Sequence, residues 1–195
     1  EGKPKRDGDA EWGVKKTKKR KGRSEPEYFY GYKTHAAMNA EAEMITSLVI
    51  TPGNAHGGKQ FPALVEKDEE QGLPIEIYTA DRGYDDTENH YLLETKEMHS
   101  AIILNDYRTQ KKDKNKEVWV ELKKTPEYRA GKKERYKIER KFGEGKENHG
   151  LRRCRSVGRS RYAIQAFLTA LALNLKRLVK LLTGGRFKGR ARVLA

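Results

Sequence analysis

The sequence predicts an α/β fold built on a mixed sheet, and three patterns in its 195 residues predict it. In residues 28–38, Tyr28, Tyr30, Tyr32, Thr34, Ala36 and Met38 alternate on one face, which is the period-two signature of a half-buried strand. Two short apolar runs, residues 75–80 and 100–104, have the length of interior strands and are separated by a helix-like stretch. Residues 162–182 form a long, largely apolar helical segment without an internal glycine or proline. Hairpin, helix, strand, helix, strand, helix is the order of an α/β layer.

Each element follows from local chemistry. Residues 1–27 read as a basic flexible arm, because seven of the nine residues 15–23 are Lys or Arg and like charges bury nothing. After the strand at 28–38, a polar turn at 39–43 leads to a second strand at 44–51, which Pro52-Gly53-Asn54 ends. Residues 61–70 fit a helix stopped near Gly72 and Pro74. The run at 75–80 ends in Asp81-Arg82-Gly83-Tyr84-Asp85, and Asp86 or Thr87 caps a helix reaching about Met98. Residues 105–124 are lysine-rich and irregular, with an edge strand expected at Val118-Trp119-Val120. Thr125 is the N-cap and Pro126 the first residue of a helix running to about Glu147, weakened by Gly131. The domain proper is expected at residues 28–183, followed by a basic tail at 184–195.

Composition bounds the function. A single cysteine excludes a disulfide framework or a Cys-x-x-Cys zinc site and fits a reducing compartment. The longest uncharged stretch, residues 162–175, is too short to span a bilayer. The net charge of +14 is unevenly spread: +6 over residues 1–23, −10 over 24–105, +6 over 106–148, and +12 over 149–195, where no acidic residue occurs. Basic flanks around an acidic body point to a polyanion, most simply nucleic acid, although a solvated charged surface gives the same counts.

Three features carry possible chemistry. Asp81 follows a buried strand, a place where α/β proteins hold ligands or metal, and equally an ordinary turn position before glycine. On the helix over 125–147, Glu139 and Lys146 lie about 40° and about 20° around the axis from Arg135, so an acid and two bases share a face. That face suits a metal ligand beside phosphate-holding cations; it also suits a plain i,i+4 ion pair. Arg152, Arg153, Arg155, Arg159 and Arg161 then fall within ten residues, the strongest candidate for a grip on a nucleic-acid backbone.

An ordered set of motifs resembles the DDE-type transposases of bacterial insertion sequences. It comprises Tyr30-Gly31-Tyr32-Lys33-Thr34-His35, Thr51-Pro52-Gly53-Asn54-Ala55-His56, Ala80-Asp81-Arg82-Gly83-Tyr84-Asp85, Glu139-Arg140-Lys141-Phe142-Gly143 and His149-Gly150-Leu151-Arg152-Arg153. The resemblance implies a ribonuclease H-like mixed sheet flanked by helices, in which three carboxylates hold two Mg²⁺ ions, with Mn²⁺ able to substitute. Asp81 matches the second acidic residue and Glu139 the third, both catalytic and metal-binding. Arg135, Glu139 and Lys146 match the spacing of a Tyr-Arg-Glu-Lys signature, whose tyrosine position is Lys132 here. Arg135, Lys146, Arg152, Arg153 and Arg155 are the expected DNA contacts. The first aspartate belongs on a first strand that the resemblance places before residue 28, where only Asp7 and Asp9 occur, without an apolar strand. The expectation is therefore a C-terminal part of a transposase catalytic domain, lacking its first strand and inactive by itself. Its partners would be DNA ends and target DNA, with a homodimer or larger assembly forming on them, in the prokaryotic cytoplasm and without a membrane. A basic DNA-binding protein without chemistry and a ribonuclease H-like nuclease are the alternatives.

Overall fold

The computed structural model describes residues 7–18, 24–110, 113–184 and 192–194. In order, the elements are β1 (Glu11–Lys18), β2 (Ser24–Asn39), β3 (Met44–Pro52), α1 (Phe61–Glu70), β4 (Ile77–Thr79), α2 (Thr87–Thr95), β5 (His99–Ser100), α3 (Lys116–Lys124), α4 (Pro126–Glu134), α5 (Tyr136–Asn148), α6 (Arg159–Gly184) and β6 (Arg192–Leu194). No described helix is long and apolar enough to cross a membrane.

β2 is the axis of the sheet. Its first half pairs antiparallel with β1, from Lys18 opposite Ser24 to Glu11 opposite Gly31. Its second half pairs antiparallel with β3, and the turn between them is closed by Asn39, whose Oδ1 accepts from the Glu41 and Ala42 N–H groups at 3.0 and 2.7 Å. β6 lies between β2 and β4, antiparallel to β2 and parallel to β4, while β4 runs parallel to β5. The parallel ladder continues beyond β5: the Ala101 and Ile103 N–H groups donate to Tyr78 and Ala80 carbonyls at 2.7 and 2.9 Å.

Strand alternation sends the two faces to different helices. Ala37, Tyr78 and Ala80 face α1 and α2, where they pack with Phe61, Leu64, Val65 and Leu93. On the other face Ile77 and Ala101 meet Trp119 and Tyr128 of α3 and α4, Met38 and Ala40 meet Ile138 of α5, and Ala36 meets Ala170 of α6. One carboxyl is carried into this interior. Asp68 is fully buried, hydrogen-bonded by the Tyr78 hydroxyl, and desolvation raises its pKa.

Several expectations hold: α1 spans the expected residues, Asp86 caps α2 by accepting from the Glu88 N–H at 3.2 Å, and Thr125 caps α4 from the Tyr128 N–H at 3.2 Å. Four are corrected. The stretch read as a flexible arm contains β1 and the start of β2, because the alternating Tyr residues of β2 give residues 11–18 a partner to pair with; residues 1–6 and 19–23 lie outside the described residues. Val118-Trp119-Val120 is helical, within α3. A single turn buries Trp119 against β4 while exposing Val118, and the surrounding Glu and Lys favour that helix. The helix expected over 125–147 is two helices meeting at Arg135. In the expected tail, residues 192–194 form β6, and 185–191 lie outside the described residues.

Candidate active site and nucleic-acid interface

Asp81 stands two residues past the end of β4. Its carboxylate Oδ1 accepts from the Gly83 N–H at 2.7 Å, closing the 3₁₀ turn at Arg82–Tyr84, and the side chain is exposed. Behind it the motif is locked from within. The Tyr84 hydroxyl lies 3.2 Å from His35 Nδ1, and His35 Nε2 lies 3.0 Å from Thr51 Oγ1. Burial, and secondarily the Lys33 charge, lowers the His35 pKa to about 4. Asp85, next along, is buried between His90 Nε2 (3.1 Å), the Asn105 N–H (2.6 Å) and Arg108 Nε (3.3 Å). Burial by itself raises such a carboxyl, but these three partners hold Asp85 below its ordinary value. Asp81 is thus an exposed acid mounted on a rigid, internally bonded loop.

Glu139 lies one turn into α5, mostly exposed and paired with Arg135. The preceding residue, Ile138, packs on Met38 and Ala40. Through β6, Met38 is level with Thr79, whereas Asp81 lies two residues beyond Thr79. No described contact joins Asp81 to Glu139. Mg²⁺ and Mn²⁺ take hard oxygen ligands, and both side chains have that chemistry. However, a Glu139 oxygen is held by Arg135, and among the described residues no three His, Cys, Asp or Glu side chains are grouped to hold a metal ion.

The basic residues are brought together more fully. Lys146 and Arg152 line a groove of about 640 Å³ that also takes in Lys15 of β1, Glu27 and Lys33 of β2, and the aromatic rings of Phe29, Phe142 and Tyr162, and Arg152 is ion-paired with Glu147. Burial comes first, and the charges of Lys15 and Arg152 second, in holding the Lys146 ammonium below the usual lysine range. Lys15 comes from the first basic segment and Lys146 and Arg152 from the last third, and they meet beside Lys33 of the acidic body. Arg152, Arg153 and Arg155 line an adjoining hollow with Gly150 and Cys154. The loop that presents them is fastened by Gln165 of α6, whose Nε2 donates to the Gly150 and Arg153 carbonyls at 2.8 and 2.9 Å. Arg135 lines neither cavity and serves Glu139 instead.

Reading the sequence missed Lys15, Lys33 and Phe29, since Lys15 reaches the groove only through the pairing of β1 with β2, and Phe29 and Lys33 meet α5 only in the tertiary fold; alternation through residues 28–38 was the available clue. Asp7 and Asp9 also acquire a definite task. The Gly158 and Arg159 N–H groups donate to Asp7 Oδ2 and Asp9 Oδ2 at 3.0 and 3.1 Å, so the two carboxylates sit at the positive N-terminus of α6. The Tyr32 hydroxyl also donates to Asp7, at 2.8 Å.

The chain belongs to the transposase DDE domain family, which it matches over residues 4–175. A transposase for insertion sequence element IS1106, from Neisseria meningitidis serogroup B, is 32% identical over 174 residues, covering 88% of this chain and 52% of that protein. The chain thus spans about half the length of this relative. No solved structure matches it.

Proposed function

We propose that this chain is part of a DNA transposase that cleaves DNA at the ends of an insertion sequence and joins the new end to target DNA by phosphoryl transfer. The observation that carries the reading is the groove in which Lys15, Lys33, Lys146 and Arg152 converge within a chain of the DDE family. Cations gathered along one groove suit the phosphates of a DNA backbone, whose counterions they would release, with Arg152 exchanging Glu147 for a phosphate. The arginine hollow continues this surface and suits bidentate contact with phosphate oxygens.

Asp81 and Glu139 are the acidic residues of the reaction on this reading, and family membership brings divalent-metal chemistry with it. Completing an ion site would take a further oxygen donor and the release of Glu139 from Arg135. The sheet order β3-β2-β6-β4-β5 supports a ribonuclease H-like fold, with β6 standing where the first strand of such a sheet belongs. That first strand, and the aspartate on it, would come from sequence outside these 195 residues. The protein would work in the cytoplasm on chromosomal DNA.

The test is strand cleavage and joining by a protein extended to the length of the IS1106 relative, on DNA carrying the element's ends, with Mg²⁺ or Mn²⁺ added. Asp81→Asn and Glu139→Gln should each lower the rate by at least about 100-fold, the usual scale for removing a group that acts in the transition state. Full activity in either variant sinks the assignment of that residue. Cleavage without joining would make the protein a nuclease, and DNA binding with neither would leave the binding-only alternative.

A further inference from the structure

Ser100 belongs to β5, the last strand of the described sheet. Its hydroxyl lies 2.8 Å from His90 Nδ1, and His90 Nε2 lies 3.1 Å from Asp85 Oδ1. The far end of this line fixes where the protons sit. Asp85 is kept ionised by its partners, which include the Asn105 N–H and Arg108, and a carboxylate only accepts. In the neutral ring Nε2 therefore carries the hydrogen, and Nδ1 turns its lone pair to the Ser100 O–H. A hydroxyl on a base whose other nitrogen is held by a buried carboxylate is the arrangement that activates a serine nucleophile. Asp85 and His90 are buried, while Ser100 stays partly exposed.

A cavity of about 480 Å³ between α2 and α3 is lined by both Ser100 and His90, and it has the size of a small-molecule site. Met98, Val118 and Leu122 give it apolar walls, and neither Lys nor Arg lines it. It shares no residue with the cation groove or the arginine hollow. Glu94 on its wall and the acidic segment around it disfavour an anionic ligand. Two donors stand beside the serine. Trp119 lines the cavity with its ring centre 4.9 Å from that of His90, and its buried indole N–H has no hydrogen-bond partner among the described residues. A buried donor left unpaired is costly and calls for a reason. The backbone supplies the second donor. The His99 and Ala101 N–H groups donate to β4, so alternation turns the Ser100 N–H away from β4, toward the edge of the sheet.

We propose that Ser100, His90 and Asp85 form a nucleophilic site that hydrolyses small, uncharged carboxylic esters with a short apolar acyl group. The acyl chain lies against Val118 and Leu122. Ser100 Oγ attacks the carbonyl carbon, and its proton passes to His90 Nδ1. The Trp119 and Ser100 N–H groups meet the charge that develops on the carbonyl oxygen. The bond from carbon to the alcohol oxygen then breaks, and the alcohol leaves with the proton from His90. Water, giving a proton to the same nitrogen, attacks the acyl-serine; the bond to Oγ breaks, the acid departs and Ser100 regains its proton. The activity goes beyond the transposase reading and does not depend on DNA.

The experiment is treatment of this chain with diisopropyl fluorophosphate, followed by intact-mass measurement and peptide mapping. The expected result is a single diisopropylphosphoryl group, on Ser100, formed with loss of fluoride. Because the label is mapped on the unaltered chain, this outcome does not depend on a variant folding. Hydrolysis of p-nitrophenyl butyrate should saturate with substrate and stop once the label is in place. Ser100→Ala should abolish the label and lower kcat/KM at least about 100-fold, and His90→Gln should lower kcat/KM to a similar extent, both with unchanged circular dichroism. Trp119→Phe keeps a ring and removes the N–H; it should lower kcat at least about 10-fold with KM little changed, a split that a purely packing role would not give. A chain that takes no label on Ser100 overturns the proposal and leaves the three residues as a tie between α2 and β5. So does hydrolysis that survives Ser100→Ala.

Discussion

At the scale of single residues, Gly131 shows tertiary packing overruling local preference. A glycine inside α4 costs helix stability, so alanine there would ordinarily gain about 1 kcal/mol. Here a Cβ would run into Thr79 Oγ1 and the Ala101 methyl, and both residues are buried in the sheet. Gly131→Ala should therefore destabilise the fold by about 2 kcal/mol, as overpacking does, and a lower urea midpoint would show it. His35 gives a pH signature. Its folded pKa of about 4 lies below the ordinary 6.5, so the fold accepts only the neutral ring. Stability contributed by this group is complete above pH 6.5 and is lost as pH falls from there toward 4, up to about 3 kcal/mol in all. His35→Gln should be less stable at neutral pH, with a flatter stability profile over that window in urea titrations.

At the scale of elements, the loop between α5 and α6 turns scattered arginines into a surface. Gln165 holds the loop from α6, so Arg152, Arg153 and Arg155 share one hollow. If each contacts a phosphate, replacing all three by Gln should reduce the slope of log affinity against log salt by about 2 to 3, measured by DNA-binding titrations. An unchanged slope would remove the loop from the interface. The element scale is also where the sequence was most and least readable. α1, α2 and the start of α4 could be read because their caps and breakers are local: Asp86, Thr125, Pro126, Gly72. α3 could not, because Val-Trp-Val carries a strand signal and only the position of β4 shows Trp119 buried from a helix. The break at Arg135 has no proline or glycine to announce it.

At the scale of the whole molecule, β6 closes the sheet. Three residues join β2 to β4, a short bridge for the middle of a sheet. Deleting residues 185–195 should raise hydrogen exchange at Met38, Asn39 and residues 77–79, while the α1–α2 face, held by Phe61, Leu64 and Leu93, stays protected. Equal protection with and without the tail would show that β6 does not hold the two halves together.

The candidate site divides along similar lines. The strand-end position of Asp81, the Arg135–Glu139 pairing and the arginine cluster could be read from spacing, because each depends on neighbours within a turn or a short run. Reading alone could not show that Asp7 and Asp9 cap α6, or that Lys15 and Lys33 join Lys146 and Arg152. Those facts depend on residues more than a hundred positions apart meeting, and periodicity carries no information about which surfaces meet. By itself, then, the sequence determined an α/β protein with an acidic body and basic flanks. Only the tertiary structure decided which cations share a groove and which carboxylates are committed to capping or ion pairing, because those outcomes depend on how strands pair and helices pack.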